Sequence, residues 1–222
     1  MQHADVAMYE AKRNSKGYAV YEESFDKYSL ERLKIIASLR DTVLPEQLSI
    51  YYQPKISLKD GRVCGLEALL RWQHPSLGMI PPDDFIPVAE RAGVMKQITL
   101  WVFRNVLIQI EQWQALGIHL NVSVNLSASN LGDDKLPQNI HEILDAYRVA
   151  PSSVTLEVTE SSMMAHPALA QEILNKLNAF GLLFSIDDFG TGYSSLAYLK
   201  SLPASEIKID KSFVLDMIRD ET

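Results

Sequence analysis

Cysteine is almost missing from this chain: Cys64 is the one thiol in 222 residues. A lone thiol cannot close an internal bridge, so a disulfide scaffold is excluded and a reducing compartment is expected. Long apolar runs are missing too. No stretch approaches the roughly 18 residues of a membrane-spanning helix, and the first residues lack the apolar centre of a secretory leader. Basic residues are outnumbered, 21 Lys and Arg against 28 Asp and Glu, for a formal charge of −7. That balance gives no electrostatic grip on a nucleic-acid polymer, which is bound by Lys and Arg replacing phosphate counterions. A small phosphate ligand stays compatible if metal ions supply the positive charge. No internal repeat or low-complexity segment is evident. What remains, 47% hydrophobic and 22% charged residues, is the composition of a globular protein. A cytoplasmic, soluble protein is expected, with tethering through a segment outside this chain left open.

The first 26 residues differ from the rest. Ala4 to Lys12 form a short amphipathic helix, and Tyr18-Ala19-Val20-Tyr21 are β-like after Lys16-Gly17. Together they have no core of their own, so residues 1–26 read as the end of a preceding domain. Residues 27–44 place Leu30, Leu33, Ile36, Ala37 and Leu39 near helical spacing and read as a connecting helix. From residue 45 the main domain begins. Strands are expected at 49–53 and 62–70, joined by the turn signal Lys59-Asp60-Gly61. Helices at 83–92 and 94–116 follow, the second ending at Gly117. Strand 119–126, helix 138–147, strand 153–158, helix 167–180 and strand 182–187 come next. A short helix at 194–200, strand 206–210 and a helix from 212 complete the reading. Strand–helix alternation implies an α/β fold with a largely parallel sheet, either a TIM-like barrel or a doubly wound sheet.

The chemistry gathers at strand ends. Val63 to Leu66 runs into Glu67, His119 to Val124 into Asn125, Val154 to Leu156 into Glu157, and Phe184 to Ile186 into Asp187-Asp188. One such residue is only a strand meeting solvent. Four in succession, all oxygen donors, point to the face of a barrel where active sites are built. So many like charges cannot all stay ionised unaided. A hard divalent cation, Mg²⁺ or Mn²⁺, resolves the conflict, and no Cys/His set suggests structural zinc. The Asp187-Asp188 pair suits two metals, which clamp the attacking and leaving oxygens of a phosphodiester. Lys208 lies between Ile207 and Ile209 with the parity of Asp210; its head either snorkels outward or orients a water beside the cluster. Gly190 and Gly192 permit a tight loop after Asp187-Asp188, and no other kinase element accompanies Asp188-Phe189-Gly190.

Tyr52-Gln53-Pro54, Gly65 to Trp72, Phe85 to Glu90 and Val124 to Ser127 resemble the EAL domain family. Glu157 to Glu160, Asp187 to Leu196 and Lys208 to Val214 continue the resemblance in order, over about residues 30–222. Residues 1–26 resemble the C-terminal end of a GGDEF domain through Ala4-Asp5, Ala7-Met8-Tyr9 and Ala11-Lys12, without that domain's catalytic half. The resemblance implies a TIM-like barrel with its first strand antiparallel. It implies a cyclic-guanylate-specific phosphodiesterase that hydrolyses cyclic di-GMP to linear pGpG with Mg²⁺ or Mn²⁺. Glu67, Asn125, Glu157 and Asp187 would be metal ligands and Asp188 would serve a second metal. Lys208 would position the attacking water, Gln53 and Arg71 would contact the dinucleotide, and Glu160 would hold the loop beginning at Phe189. Lys55 departs from the aliphatic residue more usual after Gln53-Pro54 and receives no role. The family pattern also implies two more strands beyond residue 222, bearing a general-base glutamate, so the barrel is expected to be incomplete over these residues. A homodimer and upstream GGDEF or sensory domains are compatible partners. The alternative is a non-hydrolytic cyclic di-GMP receptor or scaffold, a class whose members usually lose the metal ligands retained here.

Overall fold

In the computed structural model, residues 4, 7, 8, 11, 17–20, 34–39, 44–190 and 202–217 are described. The chain divides into two compact units, Met1–Leu48 with Trp72–Val94, and Ser49–Arg71 with Met95–Thr222. In chain order the elements are α1 (Leu44–Gln47), β1 (Leu48–Ile56), β2 (Val63–His74), β3 (Gly78–Ile80), α2 (Pro82–Ala92) and α3 (Met95–Ala115). They continue with β4 (Asn121–Leu126), α4 (Ala128–Leu131), α5 (Leu136–Leu144), a 3₁₀ turn (Pro151–Ser153), β5 (Val154–Thr159) and α6 (Glu160–Met164). The last are α7 (Pro167–Ala179), β6 (Leu183–Phe189), β7 (Glu206–Ile209) and α8 (Lys211–Met217).

The sheet is ordered β1-β2-β4-β5-β6-β7, with β3 on β2. The turn 57–62 folds β1 back on β2, through the Ser57 N–H to Arg62 carbonyl bond of 2.8 Å, so the first strand is antiparallel. From β2 onward the path β2-β4-β5-β6-β7 is parallel at every step. A doubly wound sheet would reverse its order at a switch point, whereas these strands add in sequence as barrel strands do. The second unit also shows the curl directly. Strands spaced about 4.8 Å apart would put β1 and β7 roughly 24 Å from each other in a flat sheet. Yet the Lys55 ammonium on β1 lies 3.2 Å from the Glu206 carboxylate on β7. Among the described residues no backbone pairing joins β1 to β7, so the rolled sheet is not closed.

Parity decides the two faces. Leu66, Val122 and Val154 form one ladder, and Ala68, Val124, Leu156 and Phe184 form the next. All seven are buried, on the side where α3, α5 and α7 bury Phe103, Leu107, Ile140, Ile173 and Leu177. At roughly 1.5–3 kcal/mol for each buried large aliphatic side chain, these ladders hold the sheet to its helices. The other parity carries Glu67, Ser123, Asn125, Thr155, Glu157, Ser185, Asp187, Glu206 and Lys208. The inside of the roll is therefore polar, and it is the site.

The first unit has its own small core. Trp72 is fully buried, edge-on to Phe85 at 5.4 Å, and its indole N–H donates to Gln47 Oε1 at 2.9 Å. Most expected elements recur with ends shifted by one to three residues. β1 runs on through Pro54 to Ile56, a place where proline is tolerated because β1 ends the strand order. β2 runs on to His74 because Trp72, Gln73 and His74 pair with β3, which was not expected. Tyr18, Ala19 and Val20, expected as a strand, are in none, and Tyr18 and Val20 are exposed. The expected helix at 194–200, and Leu30 and Leu33 of the connecting helix, lie outside the described residues.

Candidate active site

Parallel neighbours in register bring the expected oxygen donors to one level. Asn125 on β4 is opposite Glu157 on β5, and Glu67 on β2 is opposite Ser123, two residues before Asn125. At their centre stands Lys208 of β7. Its Nζ donates to Glu157 Oε2 at 2.7 Å, Asp187 Oδ2 at 3.0 Å and Glu67 Oε2 at 3.1 Å. Asn125 Nδ2 donates to Glu67 Oε1 at 3.0 Å and fixes that carboxylate's second oxygen. Glu67, Asn125, Glu157, Asp187 and Lys208, picked from four strand ends and one parity argument, are thus brought together.

Asp187 and Asp188 owe their pairing to an irregularity. Ile186 pairs with Ile207 and Phe189 with Ile209, so two residues of β6 oppose the single Lys208 of β7. This is a β-bulge, which re-aims side chains that regular alternation would send to opposite faces. Asp188 sits in it at φ 52°, alone among described non-glycine residues in having positive φ. Asp tolerates that conformation better than most residues.

The electrostatics follow from burial and crowding. Burial by itself would lower the Lys208 ammonium, but hydrogen bonds and charge from Glu157, with Asp187 and Glu67, hold it above the usual lysine range. Glu157 is 1% exposed. Burial pushes its carboxyl up, with Glu67 adding to the rise, against the pull of Lys208. Asp188 is raised by burial and then by the charges of Asp187 and Asp210.

Glu160, also buried, begins α6, and its Oε2 accepts the Gly190 N–H at 3.3 Å just after Phe189. Gln53 and Arg71 share the parity of Lys55 and Glu67 on β1 and β2. Gln53 is exposed on β1, further from the turn 57–62 than Lys55. The Arg71 guanidinium donates to the Leu70 carbonyl at 2.9 Å and lies over the Tyr51 ring, 5.5 Å from its centroid. Lys55, given no role by the sequence, turns inward: its Nζ donates to Ser123 Oγ at 2.6 Å and lies 3.5 Å from Glu157 Oε1. The signal that could have found it is its parity with Gln53, one strand from Glu67.

Among the described residues no three His, Cys, Asp or Glu side chains form a preassembled metal cage; the Lys208 ammonium holds the point on which they converge. The donors still suit a hard divalent cation. They are all oxygen, three are carboxylates, and they already surround one positive charge.

The EAL domain model matches residues 36–222, most of the chain. The chain belongs to the EAL domain family. It is 42% identical, over 99% of its own length, to the Bifunctional diguanylate cyclase/cyclic di-GMP phosphodiesterase MucR of Pseudomonas aeruginosa, of which it covers 32%. It is 38% identical, over 98% of its length, to the Cyclic di-GMP phosphodiesterase PdeR of Escherichia coli, of which it covers 33%. The chain thus spans about a third of the length of these curated relatives. A solved structure described as PaMucR Phosphodiesterase, c-di-GMP complex, superposes with a TM-score of 0.79 at 42% identity, covering 84% of this chain and 76% of that one. This EAL domain therefore has the TIM-like barrel of its family, with β1 antiparallel and the described sheet unclosed. Among its described residues no helix is long and apolar enough to cross a membrane.

Proposed function

We propose that this EAL domain hydrolyses cyclic di-GMP to linear pGpG in a metal-dependent reaction. The observation that carries the reading is the convergence of Glu67, Glu157 and Asp187 on one cationic point at the mouth of a polar barrel interior. Relatives named as cyclic di-GMP phosphodiesterases, and a related structure in complex with c-di-GMP, support the choice of substrate. Glu67, Asn125, Glu157 and Asp187 would hold Mg²⁺ or Mn²⁺, and Asp188, re-aimed by the bulge, would hold a second ion. Such ions, when bound, lower the pKa of water and neutralise charge on a phosphodiester.

The chain's own residues divide the remaining work. Lys208, kept cationic by its carboxylate neighbours, orients the attacking water and offers positive charge to the phosphate. Arg71, held over Tyr51, presents a planar fork that matches phosphate oxygens, and Gln53 adds a hydrogen-bonding amide from the neighbouring strand. Glu160 holds the start of the loop after Phe189 through the Gly190 N–H. Water adds to one phosphorus, the bond to the sugar 3′ oxygen breaks, and that oxygen takes the proton. We place the domain in the cytoplasm of a longer signalling protein, with GGDEF or sensory segments upstream and a homodimer as a compatible assembly.

A receptor that binds without turnover has one observation in its favour: Lys208 already neutralises the carboxylates. The test separates the two. The chain is incubated with cyclic di-GMP and Mn²⁺, and linear product is followed by chromatography. Turnover lost in Glu67→Ala, with Mn²⁺ affinity lost in Asp187→Ala by calorimetry, is the expected result. Tight nucleotide binding without turnover, in a longer protein that also carries the general-base glutamate expected beyond residue 222, would establish the receptor, and turnover independent of divalent cations would overturn the metal assignment.

A further inference from the structure

Lys55 extends from β1 across the floor of the site. Three things make room for it and pin it. Gly65 on β2 has no side chain, and the lysine runs beside it: a Cβ there would touch Lys55 Cε at 3.4 Å and would crowd the Asn121 carbonyl oxygen at 3.2 Å. Ser123 Oγ accepts a bond of 2.6 Å from the ammonium. The Glu206 carboxylate accepts bonds of 3.2 and 3.5 Å, from the strand at the other end of the order. So pinned, Lys55 Nζ faces Glu157 Oε1 at 3.5 Å, while Lys208 takes Glu157 Oε2 at 2.7 Å. Glu157 Oε1 is buried with no hydrogen-bond partner among the described residues, so the Lys55 charge at 3.5 Å and the Lys208 bond to Oε2 are what orient this carboxylate.

We propose that Lys55 is a positioning residue for the reaction above: held by Ser123 and Glu206, it fixes Glu157 with one oxygen toward the barrel floor and the other toward the cation-binding point. The inference rests on the proposed metal-dependent reading of the site. Outer residues that orient a ligand typically account for 10- to 100-fold in metal affinity or activity. Charge alone predicts the opposite sign, since removing a cation beside an anionic site strengthens its hold on another cation. Glu206 compensates Lys55, which leaves orientation as the larger effect.

The experiment is calorimetric Mn²⁺ titration of the whole chain as wild type, Lys55→Met, Lys55→Arg and Ser123→Ala, the last alone and combined with Lys55→Met. Positioning requires Mn²⁺ affinity to fall roughly 10- to 100-fold in Lys55→Met. Lys55→Arg should recover part of the loss, and Ser123→Ala, which changes no charge but also touches Glu157 directly, should lose several-fold in the wild-type background and less in the Lys55→Met background. Where turnover is measured, kcat should fall with the KM for cyclic di-GMP unchanged. Affinity that rises or holds in Lys55→Met, with only the melting temperature altered, overturns the inference. Should Lys55→Met fail to fold, an unchanged affinity in Ser123→Ala overturns it by itself. A wild-type chain that binds no Mn²⁺ instead removes the functional reading, and the inference falls with it.

Discussion

Gly190 stands at φ +99°, a backbone conformation costly for any residue with a Cβ. A Cβ there would also lie 2.6 Å from the Phe213 ring. The ring is half exposed and can swing aside, so the clash adds less than the backbone. Gly190→Ala is expected to cost about 1–3 kcal/mol, the usual range for a strained dihedral. It should also disturb the Gly190 to Glu160 bond, and with it the start of the loop following the Asp187-Asp188 bulge. Denaturant unfolding checks the first effect: a midpoint indistinguishable from wild type would show that the chain relaxes into another backbone conformation at no cost. Asp188 shares the neighbourhood at a smaller penalty, since its left-handed backbone is one that aspartate tolerates better than most residues.

At the scale of elements, the stretch after Asn125 is tied down by a single side chain. Asn130 is buried on α4, and its Oδ1 accepts from Thr99 Oγ1 of α3 at 3.0 Å, from Ser127 N–H at 3.0 Å and from Ser127 Oγ at 2.8 Å. Asn130→Ala would strand the buried Thr99 hydroxyl, at about 1–3 kcal/mol for a group left without a partner, whereas half-exposed Ser127 can turn to water and its Oγ keeps Ser129 Oγ at 2.8 Å. We expect a loss of about 1–2 kcal/mol by urea denaturation, since the substitution also removes the buried Asn130 Nδ2, which has no hydrogen-bond partner among the described residues. A loss under about 0.5 kcal/mol would show that the network is not holding the helix pair. The elements were legible where one physical signal governed them. Helices α2 and α3 and strands β4 to β7 fall within a few residues of expectation because apolar periodicity fixes which face is buried. β3, α4 and α6 are too short to show a period and exist through pairing and caps that form only in the folded chain. The donors Glu67, Asn125, Glu157 and Asp187 could be read as strand ends. The bulge that brings Asp188 beside Asp187 could not, because it is a mismatch between two strands and belongs to neither sequence alone. Lys55 escaped for a similar reason: its partners on β4, β5 and β7 are neighbours only after the sheet rolls.

For the whole molecule, the fall of pH below neutrality sets opposing contributions against each other. His74 is buried and its ring is fully engaged. Nδ1 accepts the N–H groups of Ser76 at 3.1 Å and Leu77 at 3.2 Å, which leaves Nε2–H to donate to Ser38 Oγ at 2.8 Å. Protonation at Nδ1 would set a third N–H against two others. Burial, and then the Lys34 charge, accordingly hold this histidine below its usual range. The unfolded chain therefore binds a proton that the folded one refuses. The resulting stability is whole above the ordinary histidine range and is lost as pH falls from about 6.5 toward the lowered value. Glu157 and Asp188, held above the carboxylate range, contribute with the reverse sign and gain stability as pH falls. The raw slope of melting temperature against pH thus mixes the two, and a difference between variants isolates the histidine. The wild-type Tm minus that of His74→Gln should shrink by a few degrees between pH 7.5 and 5.5, since glutamine keeps an amide acceptor but cannot take up the proton. A difference independent of pH would mean that the His74 ring charges without cost, and that the N–H groups of Ser76 and Leu77 yield to it.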